Sequence, residues 1–88
     1  MNEFDLQIVT PHGLIFDGKA QKIIVRTTEG DVGILAKHTD YVAALSTGMA
    51  RIFTKDGEKK AACSGGMISV MSGKVRLAAS TFEWSENS

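Results

Sequence analysis

The chain has 88 residues, of which 43% are apolar, and its ten lysines and arginines balance ten aspartates and glutamates. This length allows one domain, and the scattered, balanced charge argues against nucleic acid as a partner, because nucleic-acid-binding domains cluster their basic residues. A single cysteine, Cys63, excludes an intramolecular disulfide. The first residues include Glu3 and Asp5 and no apolar run, and no later stretch has the length of a membrane-spanning helix, so we expect a soluble intracellular chain.

Near the N-terminus, apolar and polar residues alternate as they do in half-buried strands. Phe4, Leu6 and Ile8 alternate with polar residues, and a longer apolar run follows over residues 18–27. A period of two places every second side chain on one face, so both segments are predicted to be strands. Residues 38–46 are compatible with a short helical turn or a strand, and the glycines on either side favour the strand.

Two hairpins are predicted in the second half of the chain. The first joins residues 48–54 to 58–63, and the second joins residues 67–71 to 74–79. Gly, Asp and Pro mark chain reversals because they adopt or tolerate the backbone angles of turns. Such signals recur at Pro11-His12-Gly13, Asp17-Gly18, Glu29-Gly30-Asp31, Thr47-Gly48, Lys55-Asp56-Gly57, Gly65-Gly66 and Ser72-Gly73.

Short strands at this spacing predict an all-β fold. We expect a small β-sandwich of about eight to ten short, mostly antiparallel strands. It forms a single domain over residues 1–88, with strands over about residues 4–80 and a frayed tail over residues 81–88. Met49, Met67 and Met71 are expected to fill the core, and Trp84 is compatible with either an interface anchor or a loosely packed edge.

A search for chemical sites predicts no catalytic residue, cofactor or metal. His12 and His38 have no neighbours at metal-ligand spacing, and one cysteine makes no zinc pattern. Cys63 and His38 are a possible nucleophile and base, but a free cysteine is more often a small buried apolar residue. Gly65-Gly66 lacks the lysine and the helix of a phosphate loop, so it is interpreted as a tight turn or a close backbone approach.

The acidic loop Glu29-Gly30-Asp31 is open to several interpretations. Paired carboxylates perform acid–base chemistry, but carboxylates on a glycine turn are more often simply solvated. A third interpretation is a charged docking tip on a rigid scaffold, because loops frequently carry recognition.

A set of short motifs occurs in a fixed order along nearly the whole chain. The motifs are Leu6-Gln7-Ile8-Val9-Thr10-Pro11-His12-Gly13, Ile15-Phe16-Asp17-Gly18, Thr28-Glu29-Gly30-Asp31-Val32-Gly33-Ile34-Leu35 followed by His38, Thr47-Gly48-Met49-Ala50-Arg51-Ile52, Ser64-Gly65-Gly66-Met67-Ile68-Ser69-Val70 and Lys74-Val75-Arg76-Leu77-Ala78-Ala79. Over roughly residues 4–80 they resemble the epsilon subunits of F-type ATP synthases. Each motif alone is weak, but the ordered set is specific.

The resemblance implies a β-sandwich at the foot of the rotating central stalk, with the gamma subunit and the polar loops of the c-ring as partners. It further implies that Glu29, Gly30 and Asp31 contact the c-ring and that His38 lies near the gamma contact. The expected function is that of a non-catalytic rotor subunit that couples gamma to the c-ring during ATP synthesis. Such a subunit is peripheral to the membrane through the c-ring, at the cytoplasmic face of the bacterial inner membrane or the equivalent organellar face.

The chain departs from the family pattern at two places. Many members have Pro-Gly-His-Ala-Pro around the histidine, whereas this chain has Ala36-Lys37-His38-Thr39-Asp40. The family usually continues into a C-terminal two-helix domain that inhibits ATP hydrolysis, and in this chain, which ends at Ser88, we expect that device to be absent.

Two alternatives remain beside the rotor hypothesis. One is a stand-alone β-sandwich that binds another protein or a sugar without catalysis. The other is a small enzyme that uses Cys63 and His38, which requires an accessible thiol.

Overall fold

The computed structural model describes residues 2–85, and in that part the chain forms eight β-strands. The strands are β1 (Phe4–Thr10), β2 (Gly13–Ala20), β3 (Lys22–Thr27), β4 (Gly30–Leu35), β5 (Tyr41–Ala44), β6 (Gly48–Thr54), β7 (Gly57–Met71) and β8 (Lys74–Trp84). The all-β prediction is confirmed, as is the extended structure expected for residues 41–44. Across residues 2–85 there is no helix with the length and apolarity needed to cross a membrane.

The strands form one continuous hydrogen-bonded sheet in the order β2-β1-β8-β7-β6-β3-β4, and β5 pairs with β7. Strand β7 pairs with β6 along its first half and with β5 along its second half, while β8 pairs with it from Ala61 to Met71. We call the layer formed by β2, β1, β8, β7 and β5 layer A, and the layer formed by β4, β3, β6, β7 and β8 layer B. The two layers pack face to face as a β-sandwich, and the long strands β7 and β8 belong to both layers.

The bend that carries β7 from one layer to the other lies at Gly65 and Gly66. Both have positive φ angles, 70° and 92°, which side chains rarely adopt. A methyl group on Gly66 would overlap the backbone carbonyl of Ala78 on β8. The predicted chain reversal here is therefore wrong, since β7 runs on to Met71, whereas the predicted close backbone approach is confirmed.

The other predicted reversal that does not occur is Asp17-Gly18. Both residues lie inside β2, where they pair with Gln7 and Leu6 of β1. Gly18 packs beside the ring of Phe16, so its small size serves packing rather than a turn.

The core lies between the layers and is built from every second residue of most strands, as the alternation predicted. Its fully buried large side chains are Leu6, Ile8, Ile23, Val25, Ile34, Ile52, Ile68, Val70 and Leu77. Met49, Met67 and Met71 were expected in this core, and that prediction is wrong. They are 48%, 49% and 55% exposed, because each stands on the outer face of its strand.

Each open side of the sandwich is closed by a contact between the layers. On one side Thr27 of β3 bridges to Leu45, and Thr28 N donates to Ala44 O. On the other side the rings of Phe16 on β2 and Trp84 on β8 meet edge to face, with centroids 6.4 Å apart. These contacts bring the free edges of the two layers together without a further strand.

The tail prediction is wrong for residues 81–84. They continue β8, where Trp84 pairs with Ala61 and Phe82 pairs with Cys63. The rings of Phe82 and Trp84 meet edge to face with centroids 5.0 Å apart, which stabilises this end of the strand. The polar residues around them hid this strand end in the sequence. Residues 86–88 of the predicted tail lie outside the described residues.

Candidate functional site

The loop predicted to be a docking tip is the turn of the β3–β4 hairpin. Thr27 pairs with Gly30, so Thr28 and Glu29 form a two-residue loop. Gly30 has a φ of 113°, which explains the glycine at this position. The Thr27 hydroxyl is buried, donates to Gly30 O over 2.8 Å and accepts from Glu29 N over 3.1 Å. One side chain therefore holds both ends of the turn.

The charged groups of this tip point outward. Asp31 faces Arg26 across the hairpin, and Arg26 Nε donates to Asp31 Oδ1 over 2.6 Å. Glu29 is exposed at the turn itself. With one carboxylate paired to an arginine and the other in solvent, the tip has no enclosed pair of carboxylates of the kind that acid–base catalysis uses. The geometry favours the docking interpretation, in which the tip presents acceptors to a polar partner.

The same turn occurs at the opposite end of layer B, in the β6–β7 hairpin. There Thr54 Oγ1 donates to Gly57 O over 3.3 Å and accepts from Asp56 N over 3.1 Å. The backbone conformation of the β3–β4 tip thus closes two different hairpins of this chain, so it does not by itself indicate a function. The second hairpin is a matched reference for testing the first.

His38 lies in the loop between β4 and β5. Its backbone N donates to Leu35 O, its Nδ1 lies 2.7 Å from Thr39 O, and its ring meets Tyr41 edge to face at 5.8 Å. Asp40 Oδ1 accepts a hydrogen bond from Ser72 N over 3.0 Å, which ties the loop to the β7–β8 turn. These contacts hold the loop in place, although residues 36–40 contain no proline.

The structure does not bring His38 and the acidic tip together. They lie at opposite ends of β4, whose six residues span roughly 20 Å at about 3.3 Å each. The predicted c-ring residues and the predicted gamma residue therefore belong to two separate surfaces.

A third feature was missed in the sequence, namely an apolar row across the outer face of layer A. Paired residues on neighbouring strands point to the same side of a sheet. Leu14 pairs with Val9, Val9 with Ala78, Ala78 with Met67, and Met67 with Ala44. This apolar row crosses β2, β1, β8, β7 and β5, a width of roughly 19 Å at about 4.8 Å per strand spacing.

The apolar row continues into further exposed apolar side chains on the same face. Val42 on β5 is 55% exposed and Met71 lies at the end of β7. A signal for this face was present in the sequence, since Ile68 and Val70 are two residues apart and so share one face of β7. The same alternation places Met67 and Met71 on the other face. The polar rung beside the row contains Asp17, Gln7, Arg76 and Ser69, so charge of both signs flanks it.

Cys63 lies on the inner side of β7, where it is 5% exposed and packs in the core. Burial raises the pKa of its thiol, which favours the unreactive protonated form. The hypothesis of a Cys63 nucleophile required an accessible thiol, so it loses its main support. Within residues 2–85 no three histidine, cysteine or acidic side chains gather into a possible metal site.

The chain is similar to known proteins in both sequence and structure. Residues 3–85 match the family described as ATP synthase, Delta/Epsilon chain, beta-sandwich domain. The ATP synthase epsilon chains of Alkaliphilus oremlandii and Alkalihalophilus pseudofirmus are 45% and 37% identical to this chain over 84 and 83 residues. Each alignment covers 94% of this chain and 62% of the relative, so the chain spans less than two thirds of their length.

The fold matches a subunit in the cryo-EM structure of the OSCP/F1/c-ring part of the Euglena gracilis mitochondrial ATP synthase. The TM-score is 0.87 at 25% sequence identity, and the match covers 93% of this chain and 53% of the other.

Proposed function

We propose, because this chain belongs to the family of ATP synthase delta/epsilon-chain β-sandwich domains, that it is a non-catalytic subunit of the central stalk of an F-type ATP synthase. In this role it couples the gamma subunit to the c-ring during ATP synthesis. The protein then works by being held at two surfaces and transmitting force between them through a packed β-sandwich.

The observation that carries the proposal is the apolar row of layer A. An apolar strip on the outer face of a sheet, here with Leu14, Ala44 and Met67 exposed, is typical of a surface that a partner covers. Its β5 end is Ala44, on the strand that begins at Tyr41 next to His38. Ala44 O accepts a hydrogen bond from Thr28 N, so this end of the row lies beside the β3–β4 tip, and the His38 loop precedes the other end of β5, where Tyr41 pairs with the buried Val70. We assign both the row and the His38 loop to gamma.

The β3–β4 tip is the surface that we assign to the c-ring. Glu29, Gly30 and Asp31 are held by the Thr27 hydroxyl and offer carboxylate and backbone groups to polar loops. Charged groups at the rim of an interface contribute to its register and orientation more than to its affinity. Attachment through this tip makes the protein peripheral, at the cytoplasmic face of a bacterial inner membrane or the equivalent organellar face.

The test is co-purification of the chain with the gamma subunit and the detergent-solubilised c-ring of the same organism. Asp31→Lys is expected to weaken the c-ring interaction about tenfold or more, because it removes a negative charge from the rim of the interface and adds a positive charge there. Asp56→Lys, in the matched hairpin at the other end of layer B, is the control and should leave that interaction unchanged. If both variants retain the c-ring equally well, the assignment of the tip is wrong.

The gamma assignment is tested by Met67→Glu, which places a charge in the middle of the apolar row. Met67 is half exposed, so the variant should fold, and we expect loss of gamma binding with c-ring binding through the tip retained. Met49→Glu is the control, because Met49 is equally exposed on layer B. An unaffected gamma interaction would contradict the assignment.

The alternative of a stand-alone β-sandwich that binds another protein differs in a measurable way. It predicts that the wild-type chain binds neither gamma nor the c-ring, although the apolar row still requires a partner.

A further inference from the structure

The methionines of this chain have an unusual distribution. Met49, Met67 and Met71 are each about half exposed, and no residue of the buried core within residues 2–85 is a methionine. A methionine thioether is soft and readily oxidised when peroxide reaches it. The structure thus places the thioether groups of these three methionines outside the core, so their oxidation need not disturb packing.

Two of these methionines lie on the face assigned above to gamma. Met67 stands in the apolar row with the small side chains of Ala44 and Ala78 on either side. Met71 lies on the same face at the β7–β8 turn, opposite Lys74. Because alanine methyl groups cover little of a neighbouring long side chain, the thioether of Met67 is open to solvent reagents in the free chain.

We propose that Met67 and Met71 form a peroxide-sensitive site that controls docking at this face. The inference rests on the proposed gamma contact and adds to it a covalent modification with hydrogen peroxide as the oxidant. The thioether sulfur attacks one peroxide oxygen, the O–O bond breaks, and a sulfur–oxygen bond forms. The sulfur loses two electrons, the peroxide gains them, and the second oxygen leaves as water, so that thioether and peroxide become sulfoxide and water.

The consequence of oxidation follows from the position of the row. A sulfoxide is polar and hydrogen-bonding, and it would lie in the middle of a surface whose binding depends on removing apolar groups from water. Docked partner atoms in turn cover the thioethers and exclude peroxide. The free chain is therefore oxidised and prevented from docking, whereas the docked chain is protected. A thiol-dependent sulfoxide reductase, which supplies two electrons from its thiols and releases the oxygen as water, would restore the thioether and with it binding.

Cys63 does not compete for the oxidant in the folded protein. It is buried, and burial raises the pKa of its thiol, so little of the reactive thiolate is present. Peptide mapping by mass spectrometry assigns each added oxygen to its residue and separates Met67 and Met71 from Met49 and Met1.

The experiment treats the whole chain with hydrogen peroxide and measures binding to gamma before and after treatment. We expect one oxygen on each exposed methionine, an unchanged melting temperature, and affinity for gamma lowered about tenfold or more, as loss of a central interface residue would cause. The double variant Met67→Leu, Met71→Leu keeps apolar side chains on this face but has no thioether there, so its affinity for gamma, measured before and after peroxide, should not change with the treatment. Met49→Leu should remain as sensitive as the wild type.

A second arm adds peroxide after gamma is bound, and we expect Met67 and Met71 to be protected while Met49 is oxidised. Equal oxidation of all three, or a peroxide-induced loss of affinity in the double variant, would overturn the inference. If oxidised wild-type chain binds as well as untreated chain, the inference fails while the proposed function stands. If untreated chain does not bind gamma at all, the proposed function fails with it.

Discussion

Arg26 and Asp31 face each other across the β3–β4 hairpin, and the guanidinium Nε of Arg26 donates to a carboxylate oxygen of Asp31 over 2.6 Å. The stem of Arg26 lies over Gly48 of the neighbouring strand β6, where a methyl group would come within 2.8 Å of its Cβ. The pair that orients the tip is thus positioned by a glycine that is distant in sequence. Both charged side chains remain more than half exposed, at 52% and 59%.

The exposure of this pair predicts a small effect on stability. Arg26→Met keeps the stem over Gly48 and removes the charge, and we expect the free energy of unfolding to change by no more than about 1 kcal/mol. Urea unfolding followed by fluorescence of Trp84, the sole tryptophan, measures it. The difference between variant and wild type should shrink further at high salt. A loss of several kcal/mol would show that the pair is structural and that Asp31→Lys is unsuitable as a binding variant.

The Thr27 hydroxyl is the polar group on which the tip depends most. Thr27→Val keeps the shape and removes the bonds to Glu29 N and Gly30 O, so we expect a loss of about 1–3 kcal/mol in unfolding free energy. Thr54→Val, the equivalent change in the β6–β7 hairpin, is the control. Its hydroxyl is exposed to water, which replaces the lost bonds, and the loss should stay below about 1 kcal/mol. Equal losses would contradict the role given to burial.

The bend of β7 gives a sharper prediction. Gly66→Ala places a methyl group against the carbonyl of Ala78 and forces an alanine to a φ of 92°, so we expect the chain not to fold, or to lose more than about 4 kcal/mol. Gly73→Ala is the control, since Gly73 has a φ of 78° but open space around it. That variant should lose only about 1–2 kcal/mol from backbone strain. Circular dichroism and urea unfolding distinguish the two cases.

The buried thiol of Cys63 predicts how stability depends on pH. Burial raises the pKa of this thiol in the folded chain, so the folded state holds the proton more tightly than the unfolded state does. The contribution of this thiol to the free energy of unfolding is complete below the pKa of the unfolded thiol, about 8.5. It decreases as the pH rises toward and through the higher pKa of the thiol in the folded chain. The difference in unfolding free energy between wild type and Cys63→Ala should therefore shrink above about pH 8.5.

Other titrating groups are common to wild type and Cys63→Ala and cancel in this comparison. In addition, the native thiol should resist alkylation until denaturant is added. Rapid alkylation of the folded chain, or a pH-independent difference between the two proteins, would contradict the buried position of Cys63.

The sequence was a good guide wherever a feature depends on neighbours along the chain. The alternation of Leu6 and Ile8 with polar residues predicted β1, and Lys55-Asp56-Gly57 predicted the β6–β7 hairpin. It was a poor guide to Gly65-Gly66, because a glycine pair that bends a strand from one layer into the other has the same sequence pattern as a glycine pair that reverses the chain. Positive φ is needed in both cases, and only the path of β8 decides between them.

The sequence by itself therefore determined the strand content, the turn chemistry and the apolar face of most strands, because these arise from interactions over two to four residues. Only the tertiary structure decided that β7 and β8 serve both layers, that β8 runs on to Trp84, and that an apolar row crosses layer A. Val9, Leu14, Ala44, Met67 and Ala78 come from five strands, and their alignment depends on the register of every pair between them. A shift of one residue in any pair would turn that strand's members inward and break the row, so a site of this kind exists only in the assembled sheet.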